Sequence, residues 1–118
     1  YARADANAKV LYDWAERTPW VENLAADPAT RSNTSVCLKI VDPAVARLST
    51  EAQRAFVKQM EAMLDKENAA RDIAGHRDAP PGLRIWCGST VETSDLEALT
   101  PWLDWAFAEA KASLAKAA

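Results

Sequence analysis

The sequence predicts an α/β domain of the α+β type, a small and mainly antiparallel sheet covered by helices on one face. Three observations lead there. Residues 34–41 and 83–87 place apolar side chains at every second position, Val36, Leu38 and Ile40 in one and Leu83, Ile85 and Cys87 in the other. Three longer segments carry apolar residues at helical spacing. Strand candidates near one another in sequence, with short links, suggest mainly antiparallel pairing.

The first helix is expected over residues 3–17. Ala6, Val10, Leu11 and Trp14 form its apolar stripe, with Arg3, Asp5, Lys9, Asp13 and Arg17 around it. Thr18-Pro19 ends it, because the residue before proline avoids the α region. Residues 20–24 suit a short strand, and Asp27-Pro28 marks a turn. In the strand at 34–41, Val36, Leu38 and Ile40 face one way, and Ser35, Cys37 and Lys39 the other. Asp42-Pro43 closes it, and 43–48 reads as a loop or a single turn.

Thr50 with Gln53 fits a capping box for a helix to about Asn68, with Phe56, Met60, Met63 and Leu64 inward. A weaker strand candidate lies at 70–75 around Ile73, followed by a loop from His76 to Pro81. In the strand at 83–87, Leu83, Ile85 and Cys87 face the core, and Arg84 and Trp86 face away. Ser94 with Glu97 is a second capping box. Pro101 either starts a new helix capped by Thr100 or kinks this one. Leu99, Leu103, Phe107, Ala110 and Leu114 keep the helical period to the end.

Composition narrows the function classes. The chain has 118 residues, which suits a single domain spanning 1–118. Its net charge is −3 and no basic run stands out, so neither a nucleic acid nor an anionic membrane is an expected partner. No apolar stretch is long enough to span a bilayer, and no signal peptide is visible, which points to a cytoplasmic protein. Cys37 and Cys87 stand alone in apolar runs and read as reduced and mostly buried. One histidine and no close cysteine pair leave a metal site without ligands. None of the six lysines has an apolar setting that would suit covalent chemistry with a carbonyl compound.

The chemical candidates are His76, Arg77 and Arg84. Arginine presents a planar fork matched to carboxylate or phosphate oxygens, and histidine adds one or two donors. The Pro-Pro-Gly turn between them limits how far the groups can separate. The competing reading is three solvated surface groups, with Arg77 paired to the adjacent Asp78. A Cys87–His76 nucleophile pair lacks any third orienting group. Five tryptophans are many for a small core, and Trp86 shares the outward face with Arg84, as on a surface built to dock on something larger.

The segments Gly75-His76-Arg77 and Gly82-Leu83-Arg84-Ile85, then Thr93-Ser94-Asp95-Leu96-Glu97-Ala98-Leu99, resemble the C-terminal end of the phosphoserine aminotransferases. So do Thr18-Pro19-Trp20-Val21-Glu22-Asn23 and Arg31-Ser32-Asn33-Thr34-Ser35-Val36-Cys37-Leu38. The resemblance covers essentially the whole chain. It implies the small C-terminal domain of a class V, fold-type I enzyme that uses pyridoxal 5'-phosphate. The cofactor-binding large domain and its lysine would lie outside this chain, so the piece alone would be inactive and bind no cofactor. The parent would be a homodimer, transferring an amino group between phosphoserine with 2-oxoglutarate and 3-phosphohydroxypyruvate with glutamate. That reaction serves serine synthesis and, in many bacteria, pyridoxine synthesis.

By the same resemblance Arg84 matches the arginine that holds the α-carboxylate of the amino-acid substrate. His76 and Arg77 match the pair that approaches the substrate phosphate. The Asp78-Ala79-Pro80-Pro81-Gly82 linker is longer and stiffer than the glycine-containing one of other branches. Two other readings stay open at this level. One is the small domain of a class V aminotransferase acting on an unphosphorylated amino acid. The other is a free-standing regulatory domain that binds amino acids.

Overall fold

A computed structural model describes residues 2–24, 35–69, 73, 81–88 and 92–117. Helix α1 (Ala2–Glu16) leads into strand β1 (Val21–Asn23), and strand β2 (Ser35–Ile40) into the one-turn helix α2 (Pro43–Ala46). Helix α3 (Thr50–Lys66), strand β3 (Gly82–Trp86) and helix α4 (Thr93–Ala117) complete the order. The strands form one sheet in the order β1-β2-β3, antiparallel throughout. Val21 lies opposite Ile40, Cys37 opposite Arg84, and Ser35 opposite Trp86.

The alternation read from the sequence sorts the two faces. Val36, Leu38, Ile40, Leu83, Ile85 and Cys87 are buried; the sheet meets α1 and α3, and α4 packs against both helices. Glu22, Arg84 and Trp86 are exposed on the other face, with Ser35, Cys37 and Lys39 half-buried beside them. Gly82 has a steric reason to be glycine: a Cβ there would fall 2.0 Å from the Leu38 carbonyl oxygen. Its missing side chain lets β3 close on β2.

The core is one cluster. Leu11, Trp14, Met60, Leu64, Leu83 and Leu103 are fully enclosed. Truncating an enclosed leucine of this kind to alanine costs about 2–5 kcal/mol. Trp20 stacks on Phe107 with ring centroids 4.2 Å apart, and Phe56 meets the same ring edge-on at 5.8 Å. Asp104 on α4 accepts the indole N–H of Trp20 at 3.0 Å and of Trp14 at 3.2 Å.

Several local expectations need correction. The cap of α3 is Ser49, not Thr50: the Ser49 hydroxyl accepts the Ala52 amide at 3.1 Å. Gln53 lies one position too late for a capping box. Its amide instead donates to the carbonyls of Ala46 and Leu48, tying α2 to α3. Helix α4 starts at Thr93, one residue before the expected cap Ser94. Pro101 neither begins a helix nor ends one; α4 runs through it. Proline lacks the N–H that would reach the Glu97 carbonyl, and the Thr100 hydroxyl donates to that oxygen at 3.3 Å instead.

The inward stripe of α1 is Asn7, Ala8, Leu11, Trp14 and Ala15, whereas Ala6 is exposed. Met63 packs against the core only in part. Helix α3 ends with Asn68 in the left-handed region at φ 56°. There Asn68 N–H reaches the Asp65 carbonyl and Ala69 N–H the Leu64 carbonyl, which closes the last turn. Most of the strand expected at 70–75 lies outside the described residues. Ile73 itself is not in a strand, yet it is buried and its carbonyl accepts the Arg84 amide at 2.7 Å.

Candidate functional site

Arg84 sits in the middle of β3, held from both sides. Its amide donates to Ile73, and its register partner across the ladder is Cys37. Because Leu83 and Ile85 turn into the core, strand geometry puts the Arg84 side chain on the opposite, exposed face. Trp86, two residues on, projects from the same face and is 55% exposed.

The electrostatics of that face single out Arg84. Lys39 pairs with Glu22 across β1 and β2 at 3.3 Å. The Arg84 guanidinium is paired with no carboxylate among the described residues. An exposed, unpaired guanidinium beside an aromatic ring is suited to an external anion, with two parallel N–H donors for a carboxylate. His76 and Arg77 lie outside the described residues, so of the three predicted site residues only Arg84 is located.

A separate cleft of about 410 Å³ lies where the end of α1 meets β1 and α4, lined by Trp14, Arg17, Thr18, Trp20, Pro101 and Asp104. Arg84 does not border it. Its carboxylate already holds two indoles. The Thr18 hydroxyl donates to the Trp14 carbonyl at 2.5 Å.

Cysteine chemistry finds no support. Neither cysteine is in a disulfide. Cys87 is fully enclosed, and burial pushes its thiol up to about 11, so it stays protonated where a nucleophile must ionise. Cys37 is the closer neighbour of Arg84, and the sequence reading gave it no part in the site. Asn7 was also missed. It is fully buried and bonds to the end of β3, and its spacing from Leu11 and Trp14 was the available signal. Among the described residues no group of three or more His, Cys, Asp or Glu is placed to hold a metal ion. Among them, too, no helix is long and apolar enough to cross a membrane.

The six lysines are ion-paired or exposed. Lys9 pairs with Asp13, Lys39 with Glu22 and Lys111 with Asp42. Lys58, Lys66 and Lys116 are exposed on helices.

Comparison with known proteins gives this geometry a context. No model of a known protein family matches the chain. It is 41% identical over 105 residues to the phosphoserine aminotransferase of Methanosarcina mazei, covering 89% of this chain and 26% of that protein. The phosphoserine aminotransferase of Methanosarcina barkeri matches with the same identity and coverage. Among solved structures, the phosphoserine aminotransferase from Bacillus circulans subsp. alkalophilus superposes with a TM-score of 0.65 at 20% identity, over 90% of this chain and 26% of that one. A phosphoserine aminotransferase studied for radiation damage of its Schiff base gives 0.67 at 18% identity, over 92% and 27%. The chain therefore spans about a quarter of the length of the relatives it matches. In sequence and in fold, this chain is similar to the phosphoserine aminotransferases over that quarter of their length.

Proposed function

We propose that the chain is the C-terminal, substrate-holding domain of a longer phosphoserine transaminase that works in the cytoplasm as a homodimer. The reaction is amino transfer between phosphoserine with 2-oxoglutarate and 3-phosphohydroxypyruvate with glutamate, in serine synthesis. The observation that carries the reading is an unpaired Arg84 on the exposed face of a chain 41% identical to two phosphoserine aminotransferases.

Arg84 takes the α-carboxylate of the amino acid through two N–H groups. That fixes the orientation of the substrate's Cα–H bond before any proton moves. His76 and Arg77 take the phosphate of phosphoserine, or the distal carboxylate of glutamate in the return half-reaction. Pyridoxal 5'-phosphate, when bound to the parent, supplies the electron sink. In this reading its binding residues belong to the part of the longer protein outside this chain.

The test is made in the full-length enzyme. Arg84→Ala is expected to lower kcat/KM about 100-fold or more toward both phosphoserine and glutamate, since two charge-assisted hydrogen bonds are lost at once. Near-normal efficiency in that variant rejects the carboxylate role. His76→Ala with Arg77→Ala should erase the preference for phosphoserine over serine, and a preserved preference rejects the phosphate role. The isolated chain should show neither transamination nor pyridoxal absorbance; either one rejects the division of labour.

A further inference from the structure

The chain runs on past the end of strand β3. Trp86 is its last residue paired with β2, opposite Ser35. Cys87 and Gly88 follow, and both are buried. Their carbonyls have passed the end of β2 and need donors from elsewhere. Asn7 supplies them. Its Nδ2 donates to the carbonyl oxygens of Cys87 and Gly88, each at 3.2 Å. Its Oδ1 accepts the Thr93 hydroxyl at 2.5 Å. One fully enclosed amide on α1 thereby joins the end of β3 to the first residue of α4.

The clamp reaches the exposed face through Gly88. A Cβ at that position would fall 2.5 Å from the six-membered ring of Trp86. The indole thus lies directly against the Gly88 backbone whose carbonyl Asn7 holds. Trp86 and Arg84 leave the strand on the same side. Among side chains of this size, an amide alone supplies two donors and an acceptor here; aspartate has no donors and leucine neither donors nor acceptors.

We infer that Asn7 is the positioning residue of the Arg84–Trp86 surface. By holding Cys87 and Gly88 it fixes the last turn of the strand, the seat of the Trp86 ring, and through both the reach of the Arg84 guanidinium. The inference rests on the reading of Arg84 as the carboxylate clamp.

The experiment combines kinetics with residue-resolved hydrogen exchange in the full-length enzyme. Asn7→Asp keeps the shape and removes both donors. KM for phosphoserine and for glutamate is expected to rise about tenfold with kcat within about twofold. Amide exchange at Arg84 and Trp86 should quicken about tenfold, while the β1–β2 pair keeps its rate. Unchanged KM overturns the inference. So does exchange that quickens equally in all three strands, because Asn7 would then stabilise the fold without positioning anything. If Asn7→Asp does not fold, Asn7→Ala removes the same two donors without adding a charge and is read the same way. Arg84→Lys separates the two claims: unchanged KM there rejects the clamp, and the exchange pattern still decides whether Asn7 holds the strand end.

Discussion

Lys111 on α4 donates to one carboxylate oxygen of Asp42 at 2.8 Å, while the other oxygen of Asp42 caps α2 by accepting the Ala44 amide at 3.1 Å. The two residues are 69 positions apart. Asp42 is nearly enclosed and Lys111 is about half-exposed, lying over the Phe107 ring at 5.9 Å. The carboxylate therefore does a local and a long-range job together.

Separating the two jobs gives a first prediction. Asp42→Asn keeps a capping oxygen and loses the ion pair, so it should cost less than about 1 kcal/mol. Asp42→Ala loses both and should cost about 2 kcal/mol. Lys111→Met should match Asp42→Asn, and its deficit should shrink in high salt. Urea midpoints for the three variants decide it; equal losses for Asp42→Asn and Asp42→Ala would leave the cap with no measurable share.

Cys87 makes stability pH-dependent. Its thiol ionises at about 11 when folded, against 9.0 ordinarily, because burial disfavours the thiolate. Between those values the folded chain holds a proton that the unfolded chain has released. The contribution is thus complete below pH 9.0 and is lost as pH rises toward 11. Denaturation midpoints should fall across that interval, and Cys87→Ala should flatten this part of the profile. A slope unchanged by Cys87→Ala would assign the loss to other groups.

Asn68 occupies a backbone conformation that glycine adopts more readily. Asn68→Gly should therefore stabilise the chain by about 0.5 kcal/mol, and Asn68→Ala should destabilise it by about 0.5–1 kcal/mol. Thermal melts of the pair give opposite signs if the Asn68 turn closes α3 as described. Two shifts of the same sign would mean the turn opens in solution.

What the sequence made legible follows the range over which each signal acts. The alternation through Val36, Leu38 and Ile40, and again through Leu83, Ile85 and Cys87, is local and survives into the sheet unchanged. It also put Arg84 and Trp86 on the exposed side before any pairing was known. Caps proved less legible, since Ser49 and Thr50 are both good capping residues and only backbone dihedrals choose between them. Trp20 read as a strand residue, yet it stacks on Phe107 and bonds to Asp104, 84 positions away. Asn7 was hidden for the same reason: its partners are 80 or more positions off, where a single sequence carries no trace of them. His76 and Arg77 fall outside the described residues, so their part of the site rests on sequence similarity.

The bonds from Trp14 and Trp20 to Asp104 also govern when this chain can fold. Helix α1 precedes α4 by about 90 positions, so the faces of Leu11 and Trp14 wait for an element made much later. Until α4 has emerged, the growing chain carries apolar faces of α1 and α3 without their cover. Closing a loop of about 90 residues must precede the reward of burial. Nascent chains stalled before Leu103 should accordingly remain protease-sensitive and need chaperone cover. Release of the last helix should bring protection to α1 and α4 in one step.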